Sequence, residues 1–266
     1  KYGFNKTTWR TYVGDCLKGM LLSALLGGLL LSAVVWFYEW AGPLFWLYAW
    51  VVVTVVSVFM SMFYSQLIVP LFNKQQPLEE GSLRDKIQAF ADKVDFRLDN
   101  IYVMDGSKRS TKANAYFTGF GPKKRIVLYD TLIDELTEEE IVAVLAHEVG
   151  HYKRKHTVQF MLASILQIGI MLWLFSLLVN EAVLSQALGG DKVCFQLGLV
   201  AFALLYTPVN MVLGLGMNVW SRKNEYEADA FAAQNYDGEA LVSGLKKISV
   251  KALSNLTPHP VYEAVY

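Results

Sequence analysis

Four long apolar stretches dominate the pattern of this chain, and each approaches or exceeds the length that a helix needs to cross a lipid bilayer. They cover residues 17–38, 44–69, 157–179 and 193–219. Gly42-Pro43 separates the first two stretches, and Gly189-Gly190-Asp191 separates the last two. Because glycine and proline favour turns over continuous helix, each pair is predicted to form a helical hairpin.

The polar stretch between the two hairpins, residues 70–156, is predicted to fold as a small α/β insert. Apolar residues at helical spacing indicate a helix over residues 81–93. Short strands are predicted over residues 101–104, 113–120 and 125–129. The last two strands are joined by Gly121-Pro122-Lys123-Lys124, a sequence typical of a hairpin turn.

The predicted fold class is therefore a predominantly α-helical multi-pass membrane protein, with about four transmembrane helices and a small α/β insert. The predicted parts are an N-terminal segment with the first hairpin (1–69), the insert (70–156), the second hairpin (157–219) and a C-terminal helix (220–266). With 54% apolar and 18% charged residues, the composition departs from that of an ordinary soluble domain. Buried core helices of a large soluble protein are the weaker alternative.

Charge and cysteine content exclude other classes of protein. The formal net charge is zero, so nothing in the charge balance indicates a nucleic-acid partner. Cys16 and Cys194 lie far apart at or inside apolar stretches. They form neither a disulfide framework nor a Cys-x-x-Cys metal pair.

The distribution of basic residues predicts the orientation in the membrane. With four spans, residues 1–17, 70–156 and 220–266 share one side, and the turn on the other side contains Lys192. Basic residues flank the spans on the first side: Lys1, Lys6, Arg10, Lys153, Arg154, Lys155, Arg222 and Lys223. The positive-inside rule places this side in the cytoplasm. The membrane would be the endoplasmic reticulum in a eukaryote or the inner membrane in a bacterium.

The sequence His147-Glu148-Val149-Gly150-His151 carries the chemistry. Thr137 and Glu140 form a predicted capping box, followed by a strongly helical run, so the motif is expected on a helix. Two histidines four residues apart share one helix face and can bind a single Zn²⁺. Glu148 between them is suited to act as a general base on a water molecule.

A catalytic zinc usually has three protein ligands, so a third is expected elsewhere in the chain. Glu225 and Asp229 lie four apart on a predicted helix and share a face. Glu225 is the favoured ligand, while the second carboxylate can accept a hydrogen bond from a ligand histidine. His156 and His259 are weaker alternatives. Glu227 is expected to point elsewhere, as a surface residue.

Three stretches match one family in order and spacing: Asn114-Ala115-Tyr116, residues 147–151 and residues 221–231. Together they resemble the CaaX prenyl protease 1 family, which are integral-membrane zinc metalloproteases of the gluzincin type. The resemblance runs along nearly the whole chain. It implies a gluzincin-like insert and one zinc ion per chain.

The resemblance also implies a role for each site residue. His147, His151 and Glu225 are the implied zinc ligands, and Glu148 is the implied catalytic base. Asp229 is implied to support a ligand histidine. Asn114 is implied to hold the substrate backbone or the developing oxyanion.

The implied substrate is a peptide or protein, in this family a C-terminally prenylated Cys-a-a-X sequence cut after the cysteine. The lipid bilayer is the other expected partner, and the oligomeric state is not predicted. An HtpX-type quality-control protease is the alternative within the same chemistry. A catalytically silent membrane scaffold is the alternative without it.

Family members have further membrane helices before the first span seen here and a histidine near the C-terminus that stabilises the transition state. The chain is therefore expected to lack these N-terminal helices. The C-terminal histidine is expected beyond Tyr266, and His259 is not assigned this role.

Overall fold

The computed structural model describes residues 3–98, 100–118, 125–255 and 257–265. The chain divides into two compact units. The first contains residues 1–19, 59–157 and 222–263, and the second contains residues 20–58, 158–221 and 264–266. Helices are the main element in both units, and the first also contains a small sheet.

Along the sequence, the four strands lie between an N-terminal and a C-terminal group of helices. The α-helices are α1 (Trp9–Leu22), α2 (Gly28–Ala41), α3 (Phe45–Leu67), α4 (Val69–Phe72), α5 (Ser82–Lys93), α6 (Asp130–Glu135), α7 (Glu138–Lys153), α8 (His156–Leu178), α9 (Ala182–Ala187), α10 (Phe195–Asn235), α11 (Gly238–Lys251) and α12 (Pro260–Val265). The strands are β1 (Gln75–Pro77), β2 (Asn100–Met104), β3 (Ala115–Thr118) and β4 (Arg125–Tyr129). A π-helical turn, Ser23–Gly27, joins α1 to α2, and Gly42–Leu44 and Gly106–Lys108 form 3₁₀ turns.

The sheet of the first unit has the strand order β1-β2-β4-β3. Strand β2 runs parallel to β4, while β1 and β3 are antiparallel to their neighbours. The three strands predicted from the sequence are present, although the strand predicted over residues 113–120 is described as Ala115–Thr118. The predicted turn at residues 121–124 lies outside the described residues.

The core of the first unit forms where α5 and α7 pack on the sheet. Ile126, Val127 and Leu128 are consecutive and all buried, as expected for an inner strand covered by helices. The predicted helix over residues 81–93 is confirmed as α5, whose apolar stripe includes the buried Ile87 and Phe90. Helix α7 is therefore buried along most of its length.

The predicted capping box at the start of α7 is confirmed. The Thr137 side chain accepts a hydrogen bond from the Glu140 N–H, and the Glu140 carboxylate accepts one from the Thr137 N–H. Glu138, Glu139 and Glu140 occupy the first turn, where negative charge interacts favourably with the helix dipole. The first turn of α7 is thus fixed by short-range interactions that can be read from the sequence.

In the part of the chain that the structure describes, three helical runs are long and apolar enough to cross a membrane: Trp9–Phe72, His156–Leu178 and Phe195–Asn235. The first run contains both of the first two predicted spans. Within it, Gly42 has a φ of +55°, and the rings of Phe37 and Tyr48 lie 5.7 Å apart. In a straight helix these two residues would be about 16 Å apart along the axis. The chain therefore turns back at the Gly42-Pro43 pair, as predicted.

Helix α10 extends well past the predicted end of the fourth span. It continues from Phe195 to Asn235 without a break near residue 219. Residues 220–266, predicted as one C-terminal helix, comprise the end of α10 followed by α11 and α12. The break before α11 comes from Asp237, whose side chain caps α11 by accepting from the N–H groups of Glu239 and Ala240.

Candidate metal centre

The candidate centre lies in the first unit, where α7 and α10 pack closely. Helix α7 carries His147 and His151, and α10 carries Glu225. Gly150 allows the two helices to approach, because a Cβ there would lie 3.1 Å from both the Cα and the carbonyl oxygen of Ala228. The lack of a side chain at position 150 thus helps to bring the predicted ligands together.

The three predicted ligands form a cluster with metal-binding dimensions. The Nε2 atoms of His147 and His151 lie 3.1 Å apart. The Glu225 Oε2 atom lies 3.4 Å from the first and 3.6 Å from the second. A tetrahedral zinc ion with bonds of 2.0–2.1 Å separates its ligand atoms by about 3.3 to 3.4 Å. Among the described residues, this is the cluster of His, Cys, Asp and Glu with that spacing.

The hydrogen bonds around the cluster show why it suits a cation. The Nδ1 atom of His147 lies 2.8 Å from Asp229 Oδ1, so this nitrogen carries a proton and donates it to the carboxylate. The Nε2 atom of a neutral His147 is then an unprotonated lone pair directed at His151 and Glu225. Lone pairs that converge without a hydrogen repel each other, and a divalent cation satisfies all of them at once. Two imidazoles and one carboxylate are a ligand set typical of catalytic zinc.

Electrostatics at His147 favour positive charge. Burial alone would lower the pKa of His147. The Glu225 carboxylate, which would accept a hydrogen bond from a protonated Nε2, and the charges of Glu148 and Asp229 outweigh burial and raise the pKa. The surrounding carboxylates therefore create a negative potential at the place where a metal would bind.

Glu148 lies between the two histidines on α7 and is partly buried. Burial raises the pKa of its carboxyl group, against the opposing charges of His147 and His151. A carboxylate with a raised pKa is a stronger base than an exposed one. The position and environment both fit the predicted role in proton transfer.

Asn114 stands directly before β3 and is exposed. Its Oδ1 atom accepts a hydrogen bond of 2.9 Å from the Ala115 N–H. Strand β3 packs on α7 through the rings of Phe117 and Tyr152, whose centroids lie 5.3 Å apart. In the described part of the sheet, β3 pairs with β4 on one side and forms an edge on the other. The residue thus begins an edge strand that contacts the histidine-bearing helix.

Two residues outside the predicted set also contact the centre. His156 is 2% exposed, and its Nδ1 atom lies 3.0 Å from the Nδ1 atom of His151. The His156 Nε2 atom lies 3.3 Å from Glu227 Oε2. Glu227 points away from the ligands, as its two-residue spacing from Glu225 predicts, and its side chain is 36% exposed. It also contacts His156, a contact that its spacing does not predict.

His259, the other alternative ligand, is exposed and lies outside the cluster. Its Nδ1 atom accepts a hydrogen bond from the Val261 N–H. No signal in the sequence pointed to His156 as a neighbour of His151, because five residues of helical spacing would separate their side chains by more than one turn.

Comparisons with known proteins agree with the geometry. The family model described as "Peptidase family M48" matches residues 77–263, and the model described as "CAAX prenyl protease N-terminal, five membrane helices" matches residues 1–74. A "CAAX prenyl protease 1 homolog" from Arabidopsis thaliana is 38% identical over the whole chain. "CAAX prenyl protease 1" from Saccharomyces cerevisiae is 34% identical, also over the whole chain.

A solved structure, "Crystal Structure of S. mikatae Ste24p", matches the whole chain with a TM-score of 0.93 and 34% sequence identity. The chain covers 65% of that structure, 63% of the Arabidopsis relative and 62% of the yeast relative. It therefore spans less than two thirds of their length. Together with the apolar helices, these matches show a multi-pass membrane protein.

Proposed function

We propose that this chain, which belongs to peptidase family M48, holds the catalytic centre of a membrane zinc endopeptidase that cleaves prenylated CaaX substrates. The observation that carries the proposal is the cluster of His147, His151 and Glu225, with Glu148 beside it. The relatives named CAAX prenyl protease 1 supply the substrate class.

His147, His151 and Glu225 would hold one zinc ion per chain. When bound, zinc supplies Lewis acidity, which polarises a peptide carbonyl and makes water more acidic. Glu148 takes a proton from the attacking water and later transfers it to the nitrogen of the leaving amine as the C–N bond breaks. Asp229 keeps the Nδ1 proton of His147 in place, which leaves Nε2 unprotonated and available to hold a metal.

Asn114 is proposed to stabilise the oxyanion of the tetrahedral intermediate. Its Oδ1 atom is held by the Ala115 N–H, which leaves the Nδ2 group to donate a hydrogen bond. The free edge of β3 offers backbone N–H and C=O groups to an extended peptide, which would add as a further strand. Such pairing would bring the substrate backbone along the strand that packs on α7.

A prenyl tail is apolar and would suit a site connected to an apolar helix. Glu225 lies on α10, the helix whose sequence also contains the apolar stretch 195–219. One ligand is therefore built into a helix that is apolar enough to cross a bilayer.

The active side is proposed to face the cytoplasm. Basic residues flank the predicted spans on the side that carries α7, including Lys153, Arg154 and Lys155. The turn on the opposite side contains Lys192. This asymmetry follows the positive-inside rule. An endoplasmic reticulum location is expected for a eukaryotic source.

The test is hydrolysis of a farnesylated CaaX peptide by the full protein in liposomes. The wild type is expected to release the C-terminal tripeptide, and Glu148→Gln to lose this activity while retaining one zinc per chain. An unprenylated peptide and an unfolded membrane protein serve as comparison substrates. Cleavage of the unfolded protein with no preference for the farnesylated peptide would favour quality control instead. Full activity of Glu148→Gln would exclude Glu148 as the base.

A further inference from the structure

Each ligand histidine connects through its second ring nitrogen to a carboxylate of α10, but by a different route. His147 contacts Asp229 directly, whereas His151 contacts His156, which in turn contacts Glu227. We propose that His156 and Glu227 form a hydrogen-bonded relay that orients His151 and fixes its tautomer for metal binding. This inference rests on the proposed function, because it takes the cluster to be a metal site.

The hydrogens of the relay can be assigned without any charged histidine. The Glu227 carboxylate accepts from His156 Nε2–H, so His156 Nδ1 is unprotonated. That nitrogen accepts from His151 Nδ1–H. The Nε2 atom of His151 then keeps its lone pair directed at the cluster. Every polar atom of the relay is satisfied in this one arrangement, and His151 can ligate through Nε2 alone.

The turn between α7 and α8 places His156 where the relay needs it. Lys155 adopts a φ of +59°, and its N–H donates to the Tyr152 carbonyl at the end of α7. This left-handed residue stops α7 and starts α8 at His156. The His156 ring consequently folds back onto His151, although the two residues are five apart in sequence.

Burial gives the relay its strength. At 2% exposure, the His156 ring is shielded from solvent, so water cannot replace a lost partner, and a buried polar group without a hydrogen bond is unfavourable. Glu227 is about one third exposed, and Lys223 Nζ lies 3.9 Å from its Oε1 atom. The lysine offsets the carboxylate charge on the solvent side, while Oε2 faces His156.

A histidine is needed because no carboxylate of α10 reaches His151 Nδ1 directly. Successive residues on a helix turn by about 100°, so position 227 lies on nearly the opposite side from position 225. Asp229, one turn beyond Glu225, is already engaged by His147. The imidazole of His156 bridges the remaining gap between His151 and Glu227.

The experiment measures metal binding rather than catalysis. The full protein in detergent is titrated with zinc against a chelator, and its cobalt(II) form is examined by absorption spectroscopy. His156→Phe replaces the imidazole with an aromatic ring that has no nitrogen atoms. It is expected to weaken zinc binding about 10- to 100-fold and to alter the cobalt spectrum. His156→Gln is expected to restore part of the affinity, because its amide can accept from His151 and donate to Glu227.

Variants of Glu227 test the relay where folding is less at risk, since this side chain is partly exposed. Glu227→Leu is expected to approach the loss seen for His156→Phe, and Glu227→Gln to lose less, because an amide oxygen can still accept. His259→Phe is the matched control, since it removes an exposed histidine outside the cluster. It is expected to bind zinc as the wild type does.

The outcomes separate the relay from the proposed function. Wild-type zinc affinity and an unchanged cobalt spectrum in both His156→Phe and Glu227→Leu would overturn the relay. Failure of the wild type to bind zinc would overturn the metal site itself. If His156→Phe is destabilised in the metal-free state, the two Glu227 variants decide the question.

Discussion

The contact between α7 and α10 at Gly150 tests how closely the two helices must pack for the ligands to meet. A Cβ added at Gly150 would lie 3.1 Å from the Cα and carbonyl oxygen of Ala228 and 3.1 Å from the Cβ of Phe231. Ordinary contacts of this kind begin at 3.4 Å. Backbone atoms cannot rotate out of the way as a side chain can. Gly150→Ala is therefore expected to push the helices apart by a few tenths of an ångström.

The expected effect on metal binding follows from that displacement. His151 is adjacent to Gly150, and Glu225 lies one turn before Ala228, so the added methyl separates two ligands directly. Ligand distances in a zinc site are held to within about 0.2 Å. Overpacking costs about 1–3 kcal/mol, which corresponds to about 5- to 150-fold in zinc affinity if the strain falls on the site.

The assay is zinc titration against a chelator, together with the thermal midpoint of the metal-free protein. Gly244→Ala on α11 is the matched control, because a Cβ there would meet Glu140 Cβ at 3.4 Å and Leu136 Cδ1 at 3.6 Å, both ordinary contacts. It is expected to leave zinc affinity unchanged and to stabilise the helix by about 0.5–1 kcal/mol. Wild-type zinc affinity in Gly150→Ala, with the control behaving as expected, would refute the role assigned to this contact.

Two further predictions concern carboxylates. Burial alone would raise the pKa of Glu140, but hydrogen bonds from Lys247 and Ser243 outweigh it and lower the pKa from 4.5 to about 2. Its contribution to stability is therefore present above pH 4.5 and is lost as the pH falls toward 2. It amounts to roughly 3 kcal/mol. Denaturant titrations of metal-free wild type and Glu140→Gln should show a gap at pH 7 that closes toward pH 2, and a constant gap would contradict the assignment. Glu225→Ala should reduce the zinc content measured by atomic absorption, and unchanged zinc content would mean that another residue is the third ligand.

Local signals explain why the start of the metal-binding helix could be predicted. The capping box of Thr137 and Glu140 and the spacing of His147 and His151 act within one or two turns of helix. The same holds for Glu225 and Asp229, whose four-residue spacing places both on the face that meets α7. Such features depend on helix geometry alone, which a sequence specifies directly.

The relay could not be predicted in the same way, because it depends on the chain path rather than on spacing. Lys155 adopts a left-handed conformation that is uncommon for lysine, and nothing in its side chain favours that conformation over helix. Strand β1 was missed for a related reason. Gln75–Pro77 has neither the β-branched residues nor the alternation of a strand, and it exists because β2 offers an edge for it to pair with.

The length of α10 shows the limit of reading spans from hydropathy. The apolar stretch ends near residue 219, but residues 220–235 contain neither glycine nor proline, and their alanines and glutamates favour helix. Hydropathy marks where a helix leaves an apolar environment, whereas only a helix-breaking residue or a competing cap ends the helix itself. Asp237 supplies such a cap for α11, and α10 ends just before it. Because no break intervenes, Glu225 belongs to the same helix as the apolar stretch, and a helix end placed from hydropathy alone would fall six residues before this candidate ligand.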